Sequence, residues 1–147
     1  MPKPIVKDVE ISVFTHATED PDHVLSALSN VLPPEVAGSV KPKKTDLRGH
    51  HGNPISLYEI LFKEDEKVDA VLKYVSERIG EADKETLSDR ISLYVGDGSL
   101  YLRLDKQLAF AGKLSLCRED PIRIRIRFRR KKPEAIIEAA KALGLIS

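Results

Sequence analysis

Residues 121–130, PIRIRIRFRR, alternate apolar and basic side chains from Ile122 onward. Successive side chains of an extended chain point to opposite faces, so one face here carries only Ile and Phe and the other only Arg. The pattern predicts a strand over 121–129 with one face buried and the other in solvent. Such a strand needs partners in a sheet and a second layer over its apolar face.

Other segments supply those partners and that layer. Apolar alternation or turn signals predict five more strands, at residues 8–16, 39–48, 55–63, 91–95 and 100–105. Helical spacing and capping residues predict helices at 20–32, 67–80 and 133–144, with a short one at 83–91. We therefore expect an α+β fold, a two-layer sandwich in which a mostly antiparallel sheet carries helices on one face. Because no linker or repeat divides the chain, we also expect a single domain over 1–147.

The stretch ISLYEILFK, residues 55–63, is apolar on both faces. A strand of this kind is typical of the interior of a sheet with both faces covered. Residues 39–48, in contrast, are basic and contain Pro42, which favours an edge strand.

Composition places the chain among globular proteins, with 41% apolar and 32% charged residues in 147. One cysteine excludes an internal disulfide framework, and with no apolar leader at the start it favours the cytoplasm. No apolar run is long enough to cross a membrane. Net charge is only +1, but residues 121–147 hold eight Lys/Arg against two Asp/Glu, so the C-terminal region is basic and suits an anionic partner.

The four arginines on the outward face of residues 121–129 form what we call the arginine ladder: Arg123, Arg125, Arg127 and Arg129. Same-face neighbours on a strand lie about 7 Å apart, where two like charges repel by roughly 0.6 kcal/mol in water. Either acidic residues on neighbouring strands or the phosphates of a nucleic acid can offset this repulsion. Arg130 continues the positive charge beyond the strand, which favours an external anion.

A second distinctive stretch is LRGHHGNPIS, residues 47–56. Adjacent histidines on an extended backbone point apart, so His50 and His51 are a poor pair of metal ligands, and the chain offers no other ligand at a metal-motif spacing. Gly49, Gly52 and Asn53 instead favour a tight turn that holds two imidazoles outward. That turn can contact RNA, or it can be an ordinary hairpin.

Three blocks taken together resemble a known family: HATED (16–20), GHHGNPI (49–55) and LYLRLDKQLAFAG (100–112). The chain is similar to an archaeal family of predicted RNA-binding exosome subunits, whose fold is related to a 5S rRNA-binding ribosomal protein and to double-strand RNA-binding domains. The resemblance implies a ribosomal-protein-like RNA-binding fold and suggests a set of RNA-facing residues: His16, Arg48, His50, His51, Asn53, Arg103, Lys106 and Gln107. Lys106 and Gln107 follow a predicted strand end, where we expect both to reach solvent.

We therefore expect a non-catalytic RNA-binding protein, an accessory subunit of an RNA-processing or exosome-type complex, without metal or cofactor. It would grip structured or single-stranded RNA by its backbone, and a homodimer is a further expectation. The candidate stacking residues are Phe14, Tyr58 and Tyr101. The alternative is a docking subunit that places the arginine ladder on an acidic protein and binds no RNA. The predicted RNA-binding residues are Arg48, His50, His51, Asn53, Arg103, Lys106, Gln107, Arg123, Arg125, Arg127, Arg129 and Arg130.

Overall fold

The computed structural model describes residues 5–146 and confirms the predicted α+β fold. Within that range the chain forms six strands and six helices. The strands are β1 (Val6–Thr15), β2 (Lys43–Arg48), β3 (Pro54–Phe62), β4 (Val95–Gly96), β5 (Ser99–Leu104) and β6 (Ile122–Phe128). The helices are α1 (Pro21–Asn30), α2 (Pro34–Ala37), α3 (Asp65–Arg78), α4 (Glu81–Asp89), α5 (Lys106–Phe110) and α6 (Pro133–Ala142).

All six strands join one antiparallel sheet in the order β2-β3-β1-β6-β5-β4. The arginine-bearing strand β6 lies inside it, between β1 and β5. Ile124 stands opposite Ile11 on one side and Leu102 on the other, so apolar residues of three strands share one face. The basic segment forms the edge strand β2, as predicted, but the strand begins at Lys43, so Pro42 precedes it and does not lie within it.

Helices pack on the apolar face of the sheet. Residues of the strands, among them Ile11, Leu102 and Ile124, and residues of the helices, among them Leu28 and Leu72, are almost completely buried in a common core. The strands β1, β3, β5 and β6 therefore bury one set of alternating side chains and turn the other away from the helices, whereas the edge strands β2 and β4 bury none. None of the helices between residues 5 and 146 has the length and apolar character needed to cross a membrane.

Two further segments differ from the sequence prediction. The strand predicted at 91–95 is confined to Val95–Gly96, because Ile91–Leu93 form a 3-10 turn that leaves Leu93 exposed. The chain also resumes as helix α2 directly after α1, since Pro34 occupies the first turn of a new helix, where its missing N–H costs nothing.

The face away from the helices, which we call the open face, is formed by the outward residues of β2, β3, β1, β6 and β5. Most of its side chains are exposed or half-buried, as Leu61, Arg103 and Arg123 illustrate. Asp8 and Ser99 are its buried members. An irregularity between Val6 and Asp8 lets Val6 reach the core while Asp8 joins Glu10 on the open face.

Candidate nucleic-acid interface

The three sequence blocks with the family resemblance meet at one end of the sheet. We call this end the rim; it is where β1 and β5 finish and where β3 and β6 begin. Thr15 stands opposite Ser56, which puts the β2–β3 turn beside the end of β1, and Leu104 stands opposite Ile122. Segments far apart in sequence therefore form one continuous surface.

The turn between β2 and β3 is closed by its own backbone. Gly49 N–H donates to the Asn53 carbonyl at 2.7 Å, and Gly52 N–H donates to the Gly49 carbonyl at 2.9 Å. Gly52 has a φ of +81°, which favours glycine. The His50 and His51 rings lie 4.9 Å apart between centroids, nearly perpendicular to each other, and both are exposed, as are the side chains of Arg48 and Asn53.

The members of the arginine ladder farther from the rim have partners within the protein. Arg127 donates to both carboxylate oxygens of Asp8, from Nε at 2.7 Å and also from Nη2. These hydrogen bonds, partly opposed by burial, hold the pKa of Asp8 below its ordinary value. Arg125 is half-buried, and its Nε donates to the Ser99 hydroxyl at 3.2 Å.

The arginines nearer the rim have no such carboxylate partner in the described part of the chain. Arg123 stands directly opposite Arg103 on β5 and opposite Ser12 on β1, and both arginines are exposed. Like charges at opposed positions destabilise a sheet. Among residues 5–146 neither guanidinium forms an ion pair with a carboxylate within 4.0 Å. The two, which we call the arginine pair, line a depression of about 270 Å³; its other lining residues are Glu10, Ser12, Tyr101, Leu102 and Arg125.

Lys106 is not a solvent-facing residue, and the expectation that it reaches solvent is wrong. It is 7% exposed, because it opens α5 and turns toward the end of β1. Its Nζ donates to the Phe14 carbonyl at 2.6 Å, to Glu19 Oε1 at 3.0 Å and to Asp120 Oδ2 at 2.9 Å. This buried ammonium joins three segments of the rim.

His16 completes that cluster. Its Nε2 donates to Asp120 Oδ1 at 2.8 Å. Burial raises the pKa of Asp120, but the hydrogen bonds from Lys106 and His16 outweigh this effect and leave the pKa below its ordinary value. Ligand atoms of His16, Glu19 and Asp120 lie within 4.8 Å of one another, as in metal sites. Here the Lys106 ammonium bonds both carboxylates, so a metal ion would compete with it.

The remaining predicted residues surround this surface. Gln107 is exposed directly after Lys106 at the rim, whereas Arg129 and Arg130 are exposed at the opposite end of β6, before α6. Of the candidate stacking residues, Phe14 and Tyr101 are half-buried on the open face, and Tyr58 is buried on the helix side at 7% exposure.

Cys117, the single cysteine of the chain, has a raised pKa. Burial is the main cause, and the nearby carboxylates of Asp105 and Asp120 add to it. The thiol is therefore protonated at neutral pH and is a poor nucleophile.

Sequence reasoning missed three acidic residues that organise the site: Asp8, Glu19 and Asp120. Glu19 lies inside the HATED block, so its proximity to His16 was visible. Nothing in the sequence spacing joins Asp120 to His16, 104 residues away, or Asp8 to Arg127, 119 residues away. Only the strand register brings these groups together.

Comparisons with known proteins agree on one family. A family model described as RNA binding matches residues 8–128. RNA-binding protein PAB1135 from Pyrococcus abyssi is 30% identical over 139 residues, which cover 91% of this chain and 90% of that protein.

Solved structures share the fold over nearly the whole chain. Protein AF2318 from Archaeglobus fulgidus is 27% identical with a TM-score of 0.81, over 94% of this chain and 99% of that one. Mth689, a DUF54 protein from Methanothermobacter thermautotrophicus, is 26% identical with a TM-score of 0.76, over 95% and 98% of the two chains. The chain therefore belongs to this archaeal family, whose description is RNA binding.

Proposed function

We propose that the protein is a non-catalytic RNA-binding protein that holds the RNA backbone on the rim and on the adjoining part of the open face. The observation that carries the proposal is the arginine pair, in which Arg103 and Arg123 face each other without an acidic partner among the described residues. A phosphate group bound between them would offset their repulsion, and guanidinium groups suit phosphate oxygens.

The proposed contacts follow the exposure of each side chain. Direct contacts to RNA come from the arginine pair, the β2–β3 turn and the residues beside them: Arg48, His50, His51, Asn53, Arg103, Gln107 and Arg123. Arg125, Arg129 and Arg130 extend the positive surface. Arg127 and Lys106, in contrast, hold Asp8 and the rim cluster in place and act through the residues they position.

Finer proposals accompany this function. The motif resemblance supports an accessory role in an RNA-processing, exosome-type complex, and a fold relationship to the 5S rRNA-binding ribosomal protein. A single RNA-binding domain over 1–147 is consistent with the continuous sheet. We also propose a cytoplasmic location, which suits a chain with one cysteine. A homodimer stays a prediction, which sedimentation can test.

Fluorescence anisotropy with labelled RNA over a range of salt concentrations tests the proposal. If four to six phosphates are contacted, the slope of log affinity against log salt is about −3 to −4, at about −0.7 per phosphate for a single strand. Affinity should then fall about 60- to 250-fold between about 50 and 200 mM salt.

The variant Arg103→Gln/Arg123→Gln should bind more weakly and lower the magnitude of the salt slope by about 0.7, the contribution of the one phosphate that the pair shares. The matched control is Lys73→Gln/Arg78→Gln, which removes two exposed charges from α3 on the helix side. Equal losses in both variants would mean that only net charge matters. Absence of RNA binding even at low salt would favour docking of the arginine ladder on an acidic protein.

A further inference from the structure

The open face changes from basic to partly apolar between β6 and β2. Beside the arginines of β6 and β5, the outward residues of β1, β3 and β2 include a group of apolar side chains. Phe14 stands opposite Leu57, and Leu47 stands opposite Ile55. Leu61 is 48% exposed and Leu47 is 42% exposed. We call Phe14, Leu47, Ile55 and Leu57 the apolar strip; Leu61 stands opposite Glu10, and Glu59 separates it from the strip.

The sequence itself indicates that something covers this strip. The segment 55–63 is apolar on both faces, which is typical of a strand covered on both sides. In the structure its helix-facing residues Tyr58, Ile60 and Phe62 are buried, while Leu57 and Leu61 on the other face are not. A contiguous exposed apolar surface of this kind marks a binding surface.

The position of the aromatic rings indicates which ligand fits. The guanidinium carbon of Arg123 lies 5.8 Å from the centroid of the Phe14 ring, and that of Arg125 lies 5.9 Å from the Tyr101 ring. Each half-buried ring on the open face therefore has a cation beside it. An RNA base can stack on such a ring while its phosphate reaches the neighbouring guanidinium.

The strand register gives the separation of the two rings. Arg125 pairs with Tyr101 on β5 and with Glu10 on β1, so Tyr101 and Glu10 lie at the same height in the sheet. Phe14 lies four residues beyond Glu10 along β1. Strand spacing and rise place the two rings about 16 Å apart. A few nucleotides of extended single strand can span that distance, with bases over the apolar strip and backbone along the arginines.

Paired RNA makes poor use of this surface. A duplex keeps its bases inside and offers phosphates and 2′-hydroxyls across its shallow groove, so it would leave the apolar strip without a partner. Single-stranded RNA has unstacked bases that can cover the strip. We propose that the open face selects single-stranded RNA, with bases on Phe14 and Leu57 and phosphates at the arginine pair. This inference rests on the proposed function and specifies the class of RNA that the protein binds.

Three probes of equal length test the inference by anisotropy: a single-stranded RNA, the same sequence as a duplex, and an abasic ribose-phosphate oligomer. The single strand should bind at least 10-fold more tightly than the other two. Phe14→Leu keeps an apolar side chain but removes the ring, and it should weaken single-strand binding about 5- to 30-fold, the usual effect of losing one stacked base. The salt slope should stay unchanged, because no phosphate contact is lost.

Phe110→Leu is the matched control, since Phe110 is 43% exposed but stacks on His23 of α1 in the helix layer. It should bind single-stranded RNA like the unsubstituted protein. Tyr101→Leu provides a second test at the other ring, should Phe14→Leu unfold, and should also weaken single-strand binding.

The outcomes separate this inference from the proposed function. One outcome is that the three probes are bound equally, with the same salt dependence and with no effect of removing a ring. This result overturns the single-strand inference and leaves the proposed function standing. No binding to any of the three probes at low salt overturns both. In that case an acidic, apolar protein segment becomes the occupant to seek.

Discussion

Lys106 illustrates at the residue scale how burial changes the role of a charge. An ammonium group removed from water is costly unless its donors are satisfied. Here the Phe14 carbonyl, Glu19 and Asp120 together accept its hydrogen bonds. Because Phe14 belongs to β1 and Asp120 precedes β6, this one side chain fixes the relative positions of the segments that form the rim.

We therefore predict that Lys106→Met lowers the free energy of unfolding by about 2–4 kcal/mol, because the Phe14 carbonyl loses its ammonium donor and Glu19 and Asp120 keep only their hydrogen bonds from His16. Urea unfolding followed by circular dichroism measures this change. The neighbouring Gln107→Ala serves as control and should change stability by less than about 0.5 kcal/mol, since Gln107 is exposed. A Lys106→Met protein as stable as the unsubstituted one would show that the cluster is dispensable for folding.

At the scale of the element, the sequence predicts strand β6 but not which residues of the neighbouring strands pair with it. Strict alternation predicts which face carries the arginines, and the structure confirms a half-buried interior strand. The same alternation in β1 places Glu10, Ser12 and Phe14 on the open face. Whether Asp8 lies next to a particular arginine depends on the register between strands more than 100 residues apart. Local patterns do not encode register, so Arg127 and Arg123 looked equivalent although only Arg127 has an acidic partner.

The β2–β3 turn lends itself to an element-scale prediction. Gly52 has a φ of +81°, and a Cβ there would meet open space, so Gly52→Ala tests backbone strain alone. We expect a loss of about 1 kcal/mol of stability and weaker RNA binding, as His50, His51 and Asn53 lose their fixed arrangement. Gly96→Ala is the control, because its φ lies outside the left-handed region and a Cβ there also meets open space. Thermal unfolding and anisotropy on both variants provide the comparison, and equal stabilities would argue against a strained turn.

At the scale of the whole molecule, a net charge of +1 conceals an arrangement in which acids and bases are paired selectively. Far from the rim, Asp8 neutralises Arg127, and within the rim cluster Glu19 and Asp120 neutralise Lys106. Arg103 and Arg123, which are exposed and form no ion pair among residues 5–146, lie between these two paired sites. The structure thus places these two arginines next to the apolar strip, which neither net charge nor the count of arginines reveals.

The same pairings predict how the whole protein responds to acid. The pKa values of Asp8 and Asp120 are lowered in the folded state, so the folded protein binds protons at these sites less readily than the unfolded chain. Their contribution to stability is therefore fully present above the ordinary Asp pKa of about 3.8 and is lost as the pH falls through the lower folded values. Urea unfolding at a series of pH values should show a decline that begins near pH 4 and steepens below it. In Asp8→Asn/Asp120→Asn this decline should be shallower and the stability at neutral pH lower, whereas an unchanged acid profile would mean that other carboxylates govern acid unfolding.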